Sequence, residues 1–567
     1  MNHESSPEPG SAIVASSPER LPPPTMAKCW PADLLSGFLV FLIALPLCLA
    51  ISIGSGYPPL AGLYTAIIGG ILTTFISNSE MTIKGPAAGL IGVAVGAVVA
   101  LGGSEKFGTN PESDLQVFQM VLGVGIVAGA IQIVFGLLAL GDVIGDFFPT
   151  ATVQGMLASI GVVIAVSQIH IALGVSLPKG TNNFQKIAAI PNSFVQMNPA
   201  IAIIGLSSLL ILFGWLLIRN PFIRRIPAPM IVLFVSVALG YAFELHKENT
   251  TGNLFGRDYE VGPDYNVKLP LDMTKGITHP NFAALTDSRW AWDGWKYVIM
   301  FALVGSLESL LSAKAIDLID PWRRKTSLNR DLLAIGVANT ACAAVGGLPM
   351  ISEIVRSRAN IDNGARTRLA DFFHALFLLV CVYSIPLLLN HIPMAALAAM
   401  LVYTGYRLAS PSEFYKTFKV GPEQLIIVLT TLIVSLASNL LYGIAAGVVA
   451  KVLIHLINGA SVGSMIKPKI DIATRDDGTS VVKVEQSVVF TNWLWLKAAL
   501  GRVDPKNNVI IDLSQTRLVD HTVMEKLHEM ESEYRHAGRR LTVVGLEDHR
   551  PMSSHPQAAR KKGAQVR

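Results

Sequence analysis

The 567-residue sequence predicts an α-helical polytopic membrane protein with a small cytoplasmic α/β domain after the last span. Three observations carry that expectation. Hydrophobic residues make up 51% of the chain and charged residues only 15%, whereas soluble domains are roughly a quarter charged. Apolar runs, many of them near the ~20 residues that cross a hydrocarbon core, follow one another from residue 34 to 465. Beyond Lys467-Pro468-Lys469 short β-branched runs alternate with helical periodicity instead, the pattern of a small α/β layer fold.

Taken in order, residues 1–29 are rich in Ser, Pro and Glu, cannot bury a core and are expected to form a disordered tail. They lack the basic start and apolar centre of a cleaved signal, so the first span is expected to act as the insertion signal. Residues 30–466 form the expected transmembrane domain. Its candidate spans lie near 33–54, 58–76, 86–101, 117–139, 150–174, 199–218, 228–245, 295–313, 328–346, 350–361, 369–389, 392–408, 421–437 and 441–463. The third and tenth are too short to cross as continuous helices, so fourteen segments is a reading that accepts two interrupted ones. Arg219, Arg224 and Arg225, then Lys314, Arg323, Arg324, Lys325 and Arg330, then Arg356, Arg358, Arg366 and Arg368, then Arg407, Lys416 and Lys419 all fall on one side if the chain starts in the cytoplasm. The positive-inside rule therefore predicts a cytoplasmic-membrane protein with both termini cytoplasmic. Cys29, Cys48, Cys342 and Cys381 show no metal or disulfide spacing and read as packing residues.

In residues 467–549, Val481–Val484 and Val488–Thr491 are expected as short strands, Trp493–Leu500 as a helix and Val509–Leu513 as a buried strand. A helix follows over His521–His536, with Val523, Leu527, Met530 and Tyr534 along one face, and Leu541–Val544 is a further strand. Residues 550–567 are expected to be a loose basic tail.

The stretch Met81-Thr82-Ile83-Lys84-Gly85-Pro86-Ala87-Ala88-Gly89-Leu90 breaks an apolar run with a lysine, a proline and two glycines. Non-helical backbone at membrane depth survives only where protein buries it or it lines a polar cavity. The chain restarts as a helix with Pro86 near the first turn, and a helix N-terminus presents N–H groups to an anion. A second break occurs at Gly346-Gly347-Leu348-Pro349-Met350-Ile351-Ser352-Glu353. Paired interrupted segments are the sequence mark of a transporter site. Substrate contacts are expected at Lys84, Gly85, Pro86, Ala87 and Ala88 and at Ser352, Glu353 and Ile354. Glu308, deep in an apolar run, is functional by default; the alternative is a structural pair with Lys84 or another base. Ser312 lies one turn further on the same face. Glu308, Ser312, Ser352 and Glu353 are the candidate coupling-ion residues, for a proton or for sodium at Glu308. Lys84 is expected to meet the substrate anion, to neutralise Glu308, or to snorkel to the cytoplasmic surface. Glu353 is either a site residue or only a helix cap, with Arg356 near its face.

Gly54-Ser55-Gly56-Tyr57-Pro58-Pro59-Leu60-Ala61-Gly62-Leu63-Tyr64, Gly85-Pro86-Ala87-Ala88-Gly89 and Asn360-Ile361-Asp362-Asn363-Gly364-Ala365-Arg366-Thr367-Arg368 resemble the SulP family of inorganic anion transporters over residues 30–465. Asp512-Leu513-Ser514-Gln515-Thr516-Arg517-Leu518-Val519-Asp520-His521-Thr522 resembles a STAS domain, the usual partner in that family. The resemblance implies a 7+7 inverted-repeat fold with core and gate domains, a substrate between the ends of spans 3 and 10, and a homodimer. Bicarbonate and sulfate are the substrates it suggests. Where sodium-driven bicarbonate members carry an aspartate on span 8 and small residues at the second break, this chain has Glu308, Ser352 and Glu353. In stand-alone relatives an Asp-Ser-Ser-Gly turn carries a phosphorylatable serine; here the turn reads Asp520-His521-Thr522-Val523, Thr522 keeps a hydroxyl, and a docking or assembly role is expected instead.

No Walker loop, metal cluster or catalytic triad is visible, so no enzyme activity, ATP hydrolysis, cofactor or nucleic-acid partner is expected. The expected activity is secondary transport of a small inorganic anion, by elevator-like movement of the core domain. Competing readings are a dicarboxylate or nucleobase carrier on the same architecture, an anion channel, and a non-transporting scaffold whose STAS-like domain binds a cytoplasmic protein.

Overall fold

The computed structural model describes residues 24–562 apart from 177, 179–180, 219, 221–225, 271–275, 385 and 537. The tail over 1–23, the basic cluster at Arg219, Arg224 and Arg225, and the last five residues of the expected basic tail therefore lie outside the described residues.

The first helix, α1 (Met26–Gly54), begins inside the segment expected to be disordered. It is followed by α2 (Leu60–Ile76), strand β1 (Ile83–Pro86), α3 (Ile91–Ala100), α4 (Pro111–Leu137), α5 (Leu140–Phe147), α6 (Thr150–Ala172), α7 (Asn183–Gln196), α8 (Pro199–Gly214) and α9 (Ala228–Ala242). A hairpin of β2 (Thr250–Leu254) and β3 (Arg257–Val261) leads to the second half. That half holds α10 (Ala291–Ile319), α11 (Leu328–Val345), β4 (Met350–Glu353), α12 (Ile354–Asp362), α13 (Leu369–Ser384), α14 (Met394–Leu408), α15 (Pro411–Val420), α16 (Pro422–Ala437) and α17 (Leu440–Ile457). Omitting the short α5, α7 and α15 leaves seven membrane segments in each half. Among the described residues six helices are long and apolar enough to cross by themselves, so the remaining spans depend on packing inside the bundle.

Local chemistry sets the ends. Pro111, Pro199 and Pro422 open α4, α8 and α16, where a missing N–H is harmless. The Asn198 side chain accepts from the N–H groups of Ala200 (3.2 Å) and Ile201 (3.3 Å), as an N-cap does. Gly346 closes α11 at φ +98°, a left-handed position that favours glycine. Helices approach closely where side chains vanish: Gly129 of α4 faces Thr340 and the Gly336 carbonyl of α11, the small-residue mode of packing in membranes. α1, α2, α4, α11 and α13 pack into one bundle, and α6, α14, α16 and α17 into a second.

The two breaks differ from a simple helix restart. Each begins with four extended residues, and β1 pairs antiparallel with β4 so that Lys84 faces Ser352 and Gly85 faces Ile351. The third and tenth spans are therefore strand plus half-helix. The ribbon's remaining backbone groups are satisfied by buried side chains. Asn339 accepts from the Met350 N–H (2.7 Å), Thr65 from Leu348 N–H (2.7 Å), Ser357 from Ile83 N–H (2.8 Å) and Asp371 from Lys84 N–H (3.2 Å). Bilayer interior offers no water to do this.

The C-terminal domain contains β5 (Lys469–Thr474), β6 (Ser480–Val488), α18 (Trp493–Leu500), β7 (Val509–Val519), α19 (His521–His536), β8 (Leu541–Val544), β9 (His549–Pro551) and β10 (Arg560–Lys562). The strand order is β5-β6-β7-β10-β9, with β8 on the other end of long β7. Val482, Val484, Ile511, Leu513, Val523 and Leu527 form its core. Three expectations are corrected. The two short strands expected before α18 are one strand ending at Val488, because a 3-10 turn occupies Phe490–Asn492. β5 adds an edge strand that its exposed, polar residues concealed. Residues 549–562 complete the sheet through β9 and β10 rather than trailing from it.

Candidate anion and coupling-ion site

Directly opposite residues of an antiparallel pair share a face, and neighbours alternate. The β1/β4 ribbon therefore has two faces of different chemistry. On one, Lys84 Nζ lies 2.7 Å from Asp331 Oδ1, with side-chain exposures of 2% and 0%, and also donates to Ser352 Oγ. Lys84 thus neither neutralises Glu308 nor snorkels; its charge is matched by Asp331 of α11. Ser352 is bound by Ser309 (3.0 Å), not by Ser312, which is buried one turn beyond Glu308.

On the other face, Gly85 lies against the Arg356 guanidinium; a Cβ at that glycine would strike Nη1. Arg356 is 1% exposed. Its Nη1 donates to Cys48 Sγ (3.4 Å), while Nε and Nη2 have no protein acceptor. Donors so deeply buried are costly to leave unpaired. Glu353, at the N-cap of α12, reaches across to accept from the Ala88 N–H (3.2 Å). The Glu308 carboxylate rests on Gly89, which donates its N–H; Glu308 Oε2 has no partner. The first N–H groups of the span-3 half-helix, expected to meet an anion, are thus held by two of the protein's own carboxylates. Pro86 and Ala87 are buried behind them, Ala88 is half-buried, and Ile354 is exposed.

A cavity of about 1370 Å³ reaches Gly89 from one side, passing Ile53, Gly54, Gln168 and Met300. Its mouth includes Lys106, Lys186, Lys268 and Asn439. α17 starts at this mouth, beside Asn439, and ends against the C-terminal domain, where Lys451 Nζ lies 3.1 Å from Asp520. The cavity therefore opens on the face opposite that domain.

The same contact disposes of the hydroxyl in the STAS-like turn. Thr522 is fully buried and its Oγ1 accepts from Lys451 (2.6 Å). Asp520 caps α19 through the Val523 N–H (2.8 Å) and accepts from Phe490 N–H (3.1 Å). Burial would raise the Asp520 carboxyl, but Lys451, His455 and these donors hold it below the usual carboxylate value. A second joint forms at Asp146 of α5, whose carboxylate meets Lys314 of α10 (2.6 Å), Lys497 of α18 (2.5 Å) and Lys526 of α19 (3.9 Å).

The structure brings together the two breaks, Glu308 and Glu353, all of which the sequence singles out. Arg356 was placed near the site but not in it, and Asp331, Asp371, Asn339 and Ser309 were missed. An aspartate, an asparagine or a serine inside an apolar run was the available signal.

Two interrupted half-helices that meet at the middle of two seven-span halves define the inverted-repeat class of secondary transporters. Within that class the chain belongs to the sulfate permease family, whose model it matches over residues 31–459. It is 24% identical over 472 residues to the bicarbonate transporter BicA of Picosynechococcus sp., covering 83% of this chain and 76% of that one. It is 23% identical over 543 residues to the sodium-independent sulfate anion transporter of Bos taurus, covering 91% and 83%. The solved structure of SLC26A9 shares the fold over 92% of this chain and 86% of that one, with a TM-score of 0.65 at 17% identity. The chain is a multi-pass membrane anion transporter of this family with a C-terminal STAS domain, not an enzyme.

Proposed function

We propose that the protein carries a small oxyanion, bicarbonate or sulfate, across the cytoplasmic membrane, coupled to protons and driven by elevator-like displacement of the bundle that holds the β1/β4 ribbon. The observation that carries the reading is the buried Arg356 with two free N–H donors, set beside the N-terminus of the span-3 half-helix, whose Ala88 and Gly89 N–H groups are occupied by Glu353 and Glu308. An anion entering from the cavity needs those donors. Protonation of a carboxylate weakens its hold on the Ala88 or Gly89 N–H and removes a repelling charge, so proton and anion enter together. Arg356 then supplies the charge-assisted bonds that an oxyanion needs. The cavity reaching Gly89 from the side away from the STAS domain fits an outward-facing state.

Sodium at Glu308 is the second reading, favoured by the unpaired Oε2. Both termini are proposed to be cytoplasmic, and the functional unit is proposed to be a homodimer, which mass photometry in detergent tests directly.

The deciding experiment is uptake into proteoliposomes of bicarbonate, sulfate, chloride and a dicarboxylate, with and without sodium and with imposed pH gradients. Saturable, sodium-independent uptake of bicarbonate or sulfate driven by inward acid-to-alkaline gradients, and no longer driven by them in Glu308→Gln, is the expected result. Sodium-dependent uptake supports the second reading. Non-saturable current indicates a channel, and absence of flux leaves the scaffold.

A further inference from the structure

The ribbon face away from Arg356 holds a charge pair that the transport reading does not use. Lys84 and Asp331 are fully buried, 2.7 Å apart. Ser77, the C-cap of α2, donates to Asp331 Oδ1 (2.6 Å), and Ser352 to Oδ2 (3.4 Å). Ser352 is itself held by the Ser309 hydroxyl, through its N–H and its Oγ (3.0 Å each). Five elements, α2, β1, α10, α11 and β4, thus meet at one ion pair. Lys84 and Ser352 are register partners, so the pair and its hydroxyls pin the ribbon at its centre. On either side of that point Gly85 and Glu353 face the anion site.

We infer that Lys84 and Asp331 are positioning residues for the anion site, acting through Ser352 and Ser309. They fix the register of β4 on β1, and with it where Glu353 and Arg356 stand relative to the Ala88 and Gly89 N–H groups. Ser309 follows Glu308 on α10, so the same network holds the helix that carries the second carboxylate. Lys84 never touches the substrate. This inference rests on the anion-site reading above, and its test separates the two.

Removing one partner of a buried pair leaves an uncompensated charge and is strongly destabilising, whereas replacing both with apolar groups is often tolerated. The test therefore compares the full chain with Lys84→Met/Asp331→Leu and with Ser309→Ala, which removes the tie to α10 without touching a charge. Hydrogen exchange of the 350–357 backbone in nanodiscs is read beside uptake in proteoliposomes. Both variants are expected to melt near the parent, to exchange β4 and early α12 amides at least tenfold faster, and to raise the uptake KM about tenfold for the double variant and about threefold for Ser309→Ala, with maximal rate nearly unchanged. A purely structural pair would lower the amount of folded protein without moving KM. Parental exchange in folded Ser309→Ala overturns the inference even if the double variant fails to fold, and parental KM in either folded variant overturns it as well. If the parent carries no anion, the transport reading fails, while the exchange result still decides whether the pair fixes the ribbon.

Discussion

Asp146 is the point at which the STAS domain and the membrane domain can be uncoupled by a single atom change. Its carboxylate is 7% exposed and faces Lys314, Lys497 and Lys526 from three elements. Burial alone would raise this carboxyl, but the three ammonium groups bring it down from 3.8 to about 2. At roughly 1.4 kcal/mol per unit, the charged form contributes about 2 kcal/mol to the whole cluster, and only the share from Lys497 and Lys526 belongs to docking, because Lys314 lies in the membrane domain beside Asp146. A depressed carboxylate acts in one direction: its stabilisation is complete above its ordinary value near 4 and is lost as pH falls from there towards 2. Asp146→Asn, which keeps the shape, should therefore loosen docking several-fold at neutral pH, by less than the roughly 30-fold that the whole shift corresponds to. Lys526 adds a second signature. Burial drops it to about 8 in spite of Asp146, so it opposes docking most when protonated. Without the carboxylate, docking should strengthen as pH rises, because Lys526 then sheds its proton on docking. Hydrogen exchange of α18 and α19 in nanodiscs, measured from pH 5 to pH 9, reads both effects. Protection of these helices that is unchanged in Asp146→Asn would refute the reasoning, as would a loss that does not recover toward alkaline pH.

Three further outcomes follow from contacts at the ribbon and the STAS turn. Gly89→Ala places a methyl group against the Glu308 carboxylate, an overpacking cost of about 1–3 kcal/mol. Uptake should fall at least tenfold, while Gly92→Ala, whose methyl meets only Val163 at 3.7 Å, should be close to silent in the same flux assay. Arg356→Gln should abolish saturable uptake without lowering the melting temperature of detergent-solubilised protein by more than a few degrees, because its guanidinium is poorly bonded at present; Arg356→Lys should retain transport with a raised KM, since a point charge replaces a planar fork. Thr522→Val removes the oxygen that Lys451 binds, costing about 1–3 kcal/mol and visible as faster exchange at the start of α19. Incubation of the folded protein with kinases should leave Thr522 unmodified, checked by mass spectrometry.

The parts of the site legible in the sequence were those that violate a one-dimensional expectation. A lysine, a proline and glycines interrupt an apolar run at 81–90, and a glutamate stands inside another at 308; both are costly in hydrocarbon wherever they point. What was not legible is partnership. Lys84 and Asp331 are 247 residues apart, and nothing in spacing along one helix favours that match over Glu308. Ser312 stood out in the sequence because it shares the Glu308 face. β4 packs against α10 on the side that Ser309 presents instead. Four extended residues are likewise too short for a period of two to show against an apolar background, so the breaks read as plain helix starts until the pairing of β1 with β4 supplied the missing backbone partners. The same holds for β9 and β10, three residues each, whose basic side chains read as a tail.

The carboxylates at Ala88 and Gly89 also bear on how coupling arises without a dedicated proton path. A half-helix N-terminus favours negative charge whoever supplies it. When the site is empty, Glu353 and Glu308 supply it, and the donors that would attract an anion are satisfied internally. An incoming anion must therefore compete with the protein's own oxygens, and it wins only when one of them has become neutral. On the proposed proton-coupled reading, anion and carboxylate exclude each other at two backbone N–H groups, which would link the proton to the anion, with Arg356 between them as the charge that neither carboxylate fully cancels. Replacing both glutamates with glutamine should break that exclusion rather than merely weaken binding. Anion binding by Glu308→Gln/Glu353→Gln, followed by isothermal titration in detergent, should lose its pH dependence between pH 5 and pH 8 while staying at or above parental affinity. Binding that remains as steeply pH-dependent as in the parent would locate the coupling group elsewhere, and the Asp371–His374 contact of α13, 3.5 Å apart and buried behind Lys84, would then be the next pair to replace.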